Sequence, residues 1–323
     1  MPSRRRFLGT AALGLCALPF TARAQSVDTA KILVGFPPGG TTDVMARKIA
    51  EKLRGPYARS VIVENRPGAG GQVGVTALRD SAADGSTLLL TPSSMLTIFP
   101  HTFKTLQYKL DDVAPVSLAM YTHHVLSVGP AVPDSVKTLK EFFAWAKANP
   151  DKAAYGSPGA GSMPHLVGVL LAKAGGAELR HAAYRGSAPG IQDLLGGQIA
   201  SFVGPAGDVI AHAKNGKVRV LGVSGKERDV LLPAVLTMRE QGFPIALREW
   251  YAFFMPAKAS ADTVQRASAA LQQAIAQADV AEFGKQFGME MLSSSPRQLA
   301  DVLKADATEW SGLAKETGFT ADS

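Results

Sequence analysis

The chain has 323 residues, 46% of them hydrophobic and 19% charged, which suits one or two packed domains and excludes a disordered polypeptide. Past the N-terminal segment no run of about 18 apolar residues occurs, so no membrane span is expected. The formal charge of +7 falls to +3 when the four arginines of residues 1–25 are set aside, a segment without acids, so the basic balance is no argument for nucleic acid.

Residues 1–24 have the layout of an export signal. A basic stretch around Arg4-Arg5-Arg6 precedes an apolar run from Thr10 to Phe20, and Ala22-Arg23-Ala24 supplies a small-x-small cleavage site. The arginines followed by Phe7-Leu8 resemble the twin-arginine type, with an ordinary secretory signal as the alternative. Cleavage after Ala24 would remove Cys16, the only cysteine, and leave no thiol, disulfide or cysteine metal site, which suits an oxidising periplasm. Leu15 is too large for a lipoprotein cleavage site, which argues against Cys16 as a lipid anchor.

From Lys31 onward, short apolar runs alternate with helical periods. ILVGF precedes a helix over 42–53, in which Met45, Ile49 and Leu53 share one stripe. SVIVE (60–64) reads as a strand, a helix follows Gly71, and STLLLT (86–91) reads as a buried strand. Strands are expected at 153–157, 179–184, 199–203 and 217–223, with helices at 163–174, 188–195 and 206–213 between them. The C-terminal part turns helical, over 263–278 and 296–313, the second started by Ser295-Pro296. The alternation predicts an α/β architecture with largely parallel sheets.

One kind of junction recurs between strand and helix: PPGGTTD (37–43), RPGAGGQ (66–72), SPGAGSMPH (157–165) and YRGSAPG (184–190). The first turn of a helix carries N–H groups without internal partners at the positive end of the helix dipole, and glycine lets an anion approach them. Thr41, Thr42, Ser162 and Ser187 add hydroxyl donors. A tight turn with no ligand is the plain alternative for any single junction; convergence of several would favour binding.

Other readings of these glycines fail on spacing. The dinucleotide pattern lacks its third glycine, because Val73 stands there; Gly225-Lys226 is followed by Glu227 and not by Ser or Thr; and Gly222-x-Ser224 lacks the last glycine of a nucleophile elbow. The six histidines have no metal-ligand spacing, and His123-His124 would point to opposite faces of a strand, one partly buried and one exposed. His165, in the first turn of a helix, could donate to an anion or serve in packing, and Arg66 and Arg185 are open between ligand contact and surface ion pair.

The succession GFPPGGTTD, VENRPGAGG, TPSS, YGSPGAGSMPH and YRGSAPGIQDLLGGQ resembles the Bug family, the extracytoplasmic solute receptors of tripartite tricarboxylate transporters, from about residue 30 to the end. The resemblance implies a type II periplasmic-binding-protein fold, with two α/β domains flanking a ligand cleft and two crossover segments. Domain 1 would comprise 26–124 plus 251–323 and domain 2 residues 125–250, with YTHHVLSV and EWYAFFMP as the crossings. It implies a ligand carboxylate held by backbone N–H groups at Phe36, Gly39, Gly40, Thr41, Asp43, Ala69 and Gly70, with Ser93 beside them and Ser157, Gly161, Ser162, His165 and Tyr184 on the other wall. Asp43, which would repel an anion, reads as a cap and loop brace. Two departures stand out: Ser93-Ser94-Met95 where many relatives have Ser-Asn-Gly, and Gly204 where many have an aspartate able to pair with a ligand ammonium. The second, with Asp208 as the substitute, leans toward a plain mono- or dicarboxylate.

The implied function is a monomeric periplasmic receptor that captures a small organic carboxylate and hands it to membrane transporter subunits, with no cofactor, metal or nucleic acid and no enzymatic role. A sensor that signals binding to a membrane protein is one alternative. A hydrolase using Ser162 and His165 is another, for which no acidic orienter stands in the sequence.

Overall fold

The structure, a computed structural model, describes residues 27–321; the export signal, its cleavage site and Cys16 lie outside the described residues. In chain order, β1 (Val27–Val34) leads into α1 (Thr41–Leu53), β2 (Ala58–Asn65) into α2 (Gln72–Arg79), and β3 (Thr87–Pro92) into the single-turn helices α3 (Ser94–Thr97) and α4 (Phe99–Thr102). After β4 (Val113–Thr122) the chain forms β5 (His124–Val128), α5 (Leu139–Ala148), β6 (Ala154–Ser157), α6 (Met163–Gly175) and β7 (Arg180–Ala183). Next come α7 (Ser187–Leu195), β8 (Ser201–Pro205), α8 (Ala206–Lys214) and β9 (Arg219–Val223). It ends with β10 (Glu249–Pro256), α9 (Ala261–Ile275), α10 (Ala278–Gln286), β11 (Met289–Met291) and α11 (Pro296–Thr317).

Two sheets result, a six-stranded one in the order β11-β4-β10-β3-β1-β2 and a five-stranded one in the order β7-β6-β8-β5-β9. In the first, β1 runs parallel to β2 and β3, while β10 runs antiparallel to β3 and β4. In the second, β6 runs parallel to β7 and β8, while β5 runs antiparallel to β8 and β9. These are two α/β domains, and in each the parallel strands end at helix starts.

The local reasons match the residue pattern. Met45, Ile49 and Leu53 of α1 are each 0% exposed, so the apolar stripe lies against the sheet. Every residue of β3 is buried, as its unbroken apolar run requires of a strand covered on both faces. At the start of α11, Ser295 and Gln298 form a reciprocal capping box with Pro296 in the first turn. Four helices go beyond the sequence expectation, the single-turn α3 and α4 and the longer α5 and α10. α5 has a capping box of Thr138 and Glu141, and its clustered aromatics Phe142, Phe143 and Trp145 blur the period. The helix expected over 263–278 stops at Ile275, and α10 restarts at Ala278 behind an extended Gln277.

The chain passes between the sheets twice, at His123 between β4 and β5, and through the long segment between β9 and β10. His124 already pairs in the five-stranded sheet, and Glu249 and Trp250 already pair in the six-stranded one. His123 is partly exposed and His124 buried. Where the crossings meet, Glu249 lies buried with one carboxylate oxygen 3.0 Å from His124 Nε2. The other oxygen accepts the Ser94 N–H at 3.1 Å and the Ser94 hydroxyl. The Ser94 hydroxyl in turn accepts the Met163 N–H at 3.0 Å, so one buried polar chain runs from domain 1 to the head of α6.

A second tie comes from the C-terminus. Trp250 Nε1 donates to Asp306 of α11 at 2.5 Å, and beyond α11 Phe319 sets its ring edge-on to His165 of α6, with centroids 4.4 Å apart. His165 stacks on His181 at 3.8 Å, and His181 on Tyr155 at 4.8 Å. Gly161 N–H donates to His165 Nδ1 at 2.9 Å, so the ring is neutral with its proton on Nε2.

Two glycines permit a close approach that shapes the first junction. A Cβ on Gly74 of α2 would stand 2.9 Å from Gly35 Cα, and a Cβ on Gly35 would stand 2.7 Å from the Gly71 carbonyl oxygen. Gly74→Ala is therefore expected to destabilise the protein by about 1–3 kcal/mol through overpacking, read by urea denaturation. The stacked histidines give a pH prediction. Unfolded, each ring takes a proton near pH 6.5; folded, burial holds His181 neutral down to about 4, and burial with the His181 charge holds His165 neutral down to about 3. The unfolded state binds more protons in between, so stability should fall as pH drops from about 6.5 toward about 4, and His181→Asn should flatten that slope.

Candidate functional site

The four glycine-rich junctions all lie on the side where the domains face each other. Three of them, together with the starts of α3 and α8 and the head of β10, enclose one cavity. Domain 1 contributes Phe36, Pro37, Gly40, Thr41 and Thr42 from the β1–α1 turn, Ser94 and Met95 after β3, and Glu249 and Tyr251 of β10. Domain 2 contributes Ser162 and Pro164 at the head of α6, Gly186, Ser187 and Ala188 at the head of α7, and Asp208 in the first turn of α8. About 40 Å³ of this space is open to the centres of water molecules, room for a few waters, so the cleft is closed.

Contacts across the cleft explain the closure. Asp208 Oδ1 accepts the Thr41 N–H at 2.9 Å and the Thr41 hydroxyl at 2.7 Å, joining the first turns of α8 and α1. A Cβ on Gly186 would stand 2.9 Å from Pro37 Cδ, and one on Gly159 would stand 3.3 Å from Gly70 Cα. The second and third junctions thus meet backbone to backbone beside the cavity, an approach close enough that a Cβ on Gly159 would push against Gly70.

Of the residues expected from sequence, Phe36, Gly40, Thr41 and Ser162 line the cavity. The others stand around it. Gly39 donates its N–H to Asp43 Oδ2 at 2.9 Å, and Asp43 is further held by Arg47 at 2.9 Å and by the Asn65 amide at 2.8 Å. Burial raises the Asp43 pKa, but these donors outweigh it and leave the carboxyl below its ordinary range, as a loop brace. Ala69 and Gly70 form the turn against Gly159; Ala69, at φ 46°, is the one non-glycine residue with positive φ among the described residues. Ser93 is buried below Ser94 with its hydroxyl unpartnered among the described residues. Ser157 is held by Gly159 O and His181 Nε2, and Tyr184 donates to Asp193 at 2.7 Å. Ser162 donates to Gly159 O at 2.7 Å while Gly161 N–H occupies His165 Nδ1, so both members of the considered hydrolase pair are engaged by backbone of their own turn.

Glu249, Ser94 and Tyr251, which were not among the expected ligand residues, and Asp208, named only as a substitute for the relatives' aspartate, also line the cavity. The signal for Asp208 was its position four residues after Gly204 at a helix start. Glu249 was visible as the single acid opening the apolar run EWYAFFMP. Burial raises the Asp208 pKa, and the hydrogen bonds from Ser187 and Thr41 only partly offset it. Burial, with Glu249 and Asp208 nearby, likewise pushes the Tyr251 hydroxyl well above its ordinary value. Among the described residues no group of three or more His, Cys, Asp or Glu is placed to hold a metal ion. Chemically, the cavity offers helix-start amides and hydroxyls on both walls, two carboxylates, and apolar surface from Phe36, Met95 and Tyr251.

Comparison with known proteins agrees with this arrangement. Residues 45–319 match the family model described as "Tripartite tricarboxylate transporter family receptor". The chain is 33% identical to Protein BugT of Bordetella pertussis over 315 residues, which is 97% of this chain and 95% of that protein. Its fold is similar to that of the periplasmic binding protein BugD, with a TM-score of 0.86 at 28% identity over 92% of this chain and 99% of that one. It is also similar to MatC from Rhodopseudomonas palustris, solved with bound malate, with a TM-score of 0.83 at 26% identity over 89% and 99% of the two chains. The architecture is the two-domain type II periplasmic-binding-protein fold, and the chain belongs to the tripartite tricarboxylate transporter receptor family.

Proposed function

We propose that this chain is a periplasmic receptor that binds a small organic carboxylate between its two domains and delivers it to a tripartite membrane transporter. The observation that carries the reading is the convergence of helix starts from both domains on one cavity, at α1, α6, α7 and α8. The first-turn amides of these helices have no intrahelical acceptor by position, and their partial positive charge suits an anion. The malate bound in MatC is a ligand of the same chemical class. In this reading domain 1 runs from 26 to about 123 and resumes at about 249, and domain 2 lies between, one or two residues off the expected divisions at 124/125 and 250/251, because His124 pairs in the five-stranded sheet and Glu249 and Trp250 in the six-stranded one. Phe36, Gly40, Thr41 and Ser162 face the ligand directly. Gly39, Asp43, Ala69, Gly70, Ser93, Ser157, Gly161, His165 and Tyr184 shape the turns behind them.

In the mechanism, an open cleft admits the ligand, whose carboxylate takes up amide donors at the helix starts. Domain 2 then swings about the two crossings near His123 and Glu249 until Thr41 meets Asp208 and Ser94 meets Met163. Each domain thus contributes to closure, so the closed surface presented to the membrane subunits depends on occupancy.

Two measurements test this. Thermal-shift screening of the chain from residue 26 onward with small carboxylates should show stabilisation of about 2.7 kcal/mol at 100 times Kd, whereas stabilisation by sugars or cations alone would refute the proposal. Thr41→Val keeps the backbone N–H and removes the hydroxyl that reaches Asp208. It should weaken ligand binding about ten-fold, roughly 1.4 kcal/mol, by isothermal titration.

A further inference from the structure

Most hydroxyls around the cavity are committed inside the protein. Thr41 donates to Asp208, Ser94 to Glu249 and Ser162 to the Gly159 carbonyl, and the Ser187 hydroxyl is spent on Asp208. Two lining hydroxyls make no hydrogen bond among the described residues, those of Thr42 and Tyr251. Thr42 belongs to the first turn of α1, where the helix end favours a ligand carboxylate. Tyr251 lies on a different element, β10, and is only 3% exposed. A buried polar group without a partner is costly, and at a cavity wall a ligand can supply the partner.

The surroundings of Tyr251 restrict what that partner can be. The residue belongs to the apolar core of domain 1, in one cluster with Met45, Val116 and Phe253, and close packing there holds the ring in place. Glu249, two positions earlier on the same strand, shares its face and lines the same cavity, as does Asp208 from α8. Burial and these two acids push the Tyr251 hydroxyl well above its ordinary range, so it stays protonated and able to donate. Among the described residues no lysine, arginine or histidine lines the cavity. A second ligand carboxylate beside Tyr251 would therefore meet two acids with no cation to offset them. An alkyl group would leave the hydroxyl unpaired, whereas an uncharged oxygen accepts its proton without adding charge.

We infer that Tyr251 determines specificity by donating a hydrogen bond to an uncharged oxygen of the ligand, so that the solute is a small carboxylate that also carries a hydroxyl, ketone or amide oxygen. The inference rests on the receptor reading above and narrows its ligand class. The two unspent hydroxyls divide the work: Thr42 and the helix-start amides take the carboxylate, and Tyr251 reads the second group. A site built to hydrogen-bond a ligand oxygen rejects the analogue that lacks it more strongly than an apolar wall rejects a misfit, because the donor is then stranded.

Matched ligands test this by isothermal titration at pH 7.5 on the unaltered chain from residue 26 onward. Lactate is compared with propionate, 3- and 4-hydroxybutyrate with butyrate, 4-oxopentanoate with pentanoate, and succinamate with succinate. At least one oxygen-bearing member should bind about ten-fold or more tightly than its counterpart. Tyr251→Phe removes only the hydroxyl. It should cost that member about ten-fold or more and change its counterpart by less than about two-fold. Three results overturn the inference and leave the carboxylate receptor standing: equal binding within every set, a plain mono- or dicarboxylate from the wider screen that outbinds every oxygen-bearing ligand, or a preference that survives Tyr251→Phe. No binding by any of these ligands, alongside a failed wider carboxylate screen, overturns the receptor reading as well. The comparison on the unaltered chain decides even if Tyr251→Phe does not fold.

Discussion

The bond between the Asp208 carboxylate and the first turn of α1 is the contact on which the closed arrangement turns. It spans 167 positions of sequence and joins two domains that also meet through the Ser94 hydroxyl at Met163, the Phe319 ring on His165 and the close approach of Gly70 and Gly159. A charge-assisted hydrogen bond of this kind is stronger than a neutral one, and removal from bulk water raises what is at stake if it is unmade. The same carboxylate has a pKa lifted by burial, which means the protein holds a negative group where it is poorly solvated. Carboxylates shifted in that way occur both at functional sites and in structural networks, and this one is already engaged by Thr41.

The hinge side has a complementary design. Glu249, His124 and Ser94 form a buried polar chain where both crossings meet, and its end, the Met163 amide, is the first turn of α6. Motion of α6 relative to β3 must break that chain or carry it along. Buried polar networks favour one arrangement over near alternatives, because a half-satisfied member is costly. The stack of Phe319, His165, His181 and Tyr155 extends the same logic with aromatic surface, binding the C-terminal residues of domain 1 onto α6 and β6–β7 of domain 2.

Much of the architecture was legible in the residue pattern. Alternating apolar runs and helical stripes mark most of the strands and helices, and the four glycine-rich turns stand out in the sequence as strand-to-helix junctions. α5 escaped because Phe142, Phe143 and Trp145 crowd its apolar face, and α10 because its break from α9 is a single extended residue, Gln277. Within the candidate site, Phe36, Gly40, Thr41 and Ser162 were named as ligand residues and line the cavity. Glu249 was not named, since an acid at the edge of an apolar strand reads equally as a solvated end, and only its pairing with His124 and Ser94 reveals a buried one.

The sequence by itself determined the periodicities, the helix caps and the turns that only glycine allows, because each depends on residues a few positions apart. It also carried the family through the order of its motifs. Tertiary structure alone decided which helix starts share a cavity, that the second junction packs against the third beside it, and that Asp208 reaches Thr41 from the other domain. Those outcomes depend on how two separately packed sheets are placed about their crossings, and a charge gains its meaning there only from neighbours that sequence separation hides.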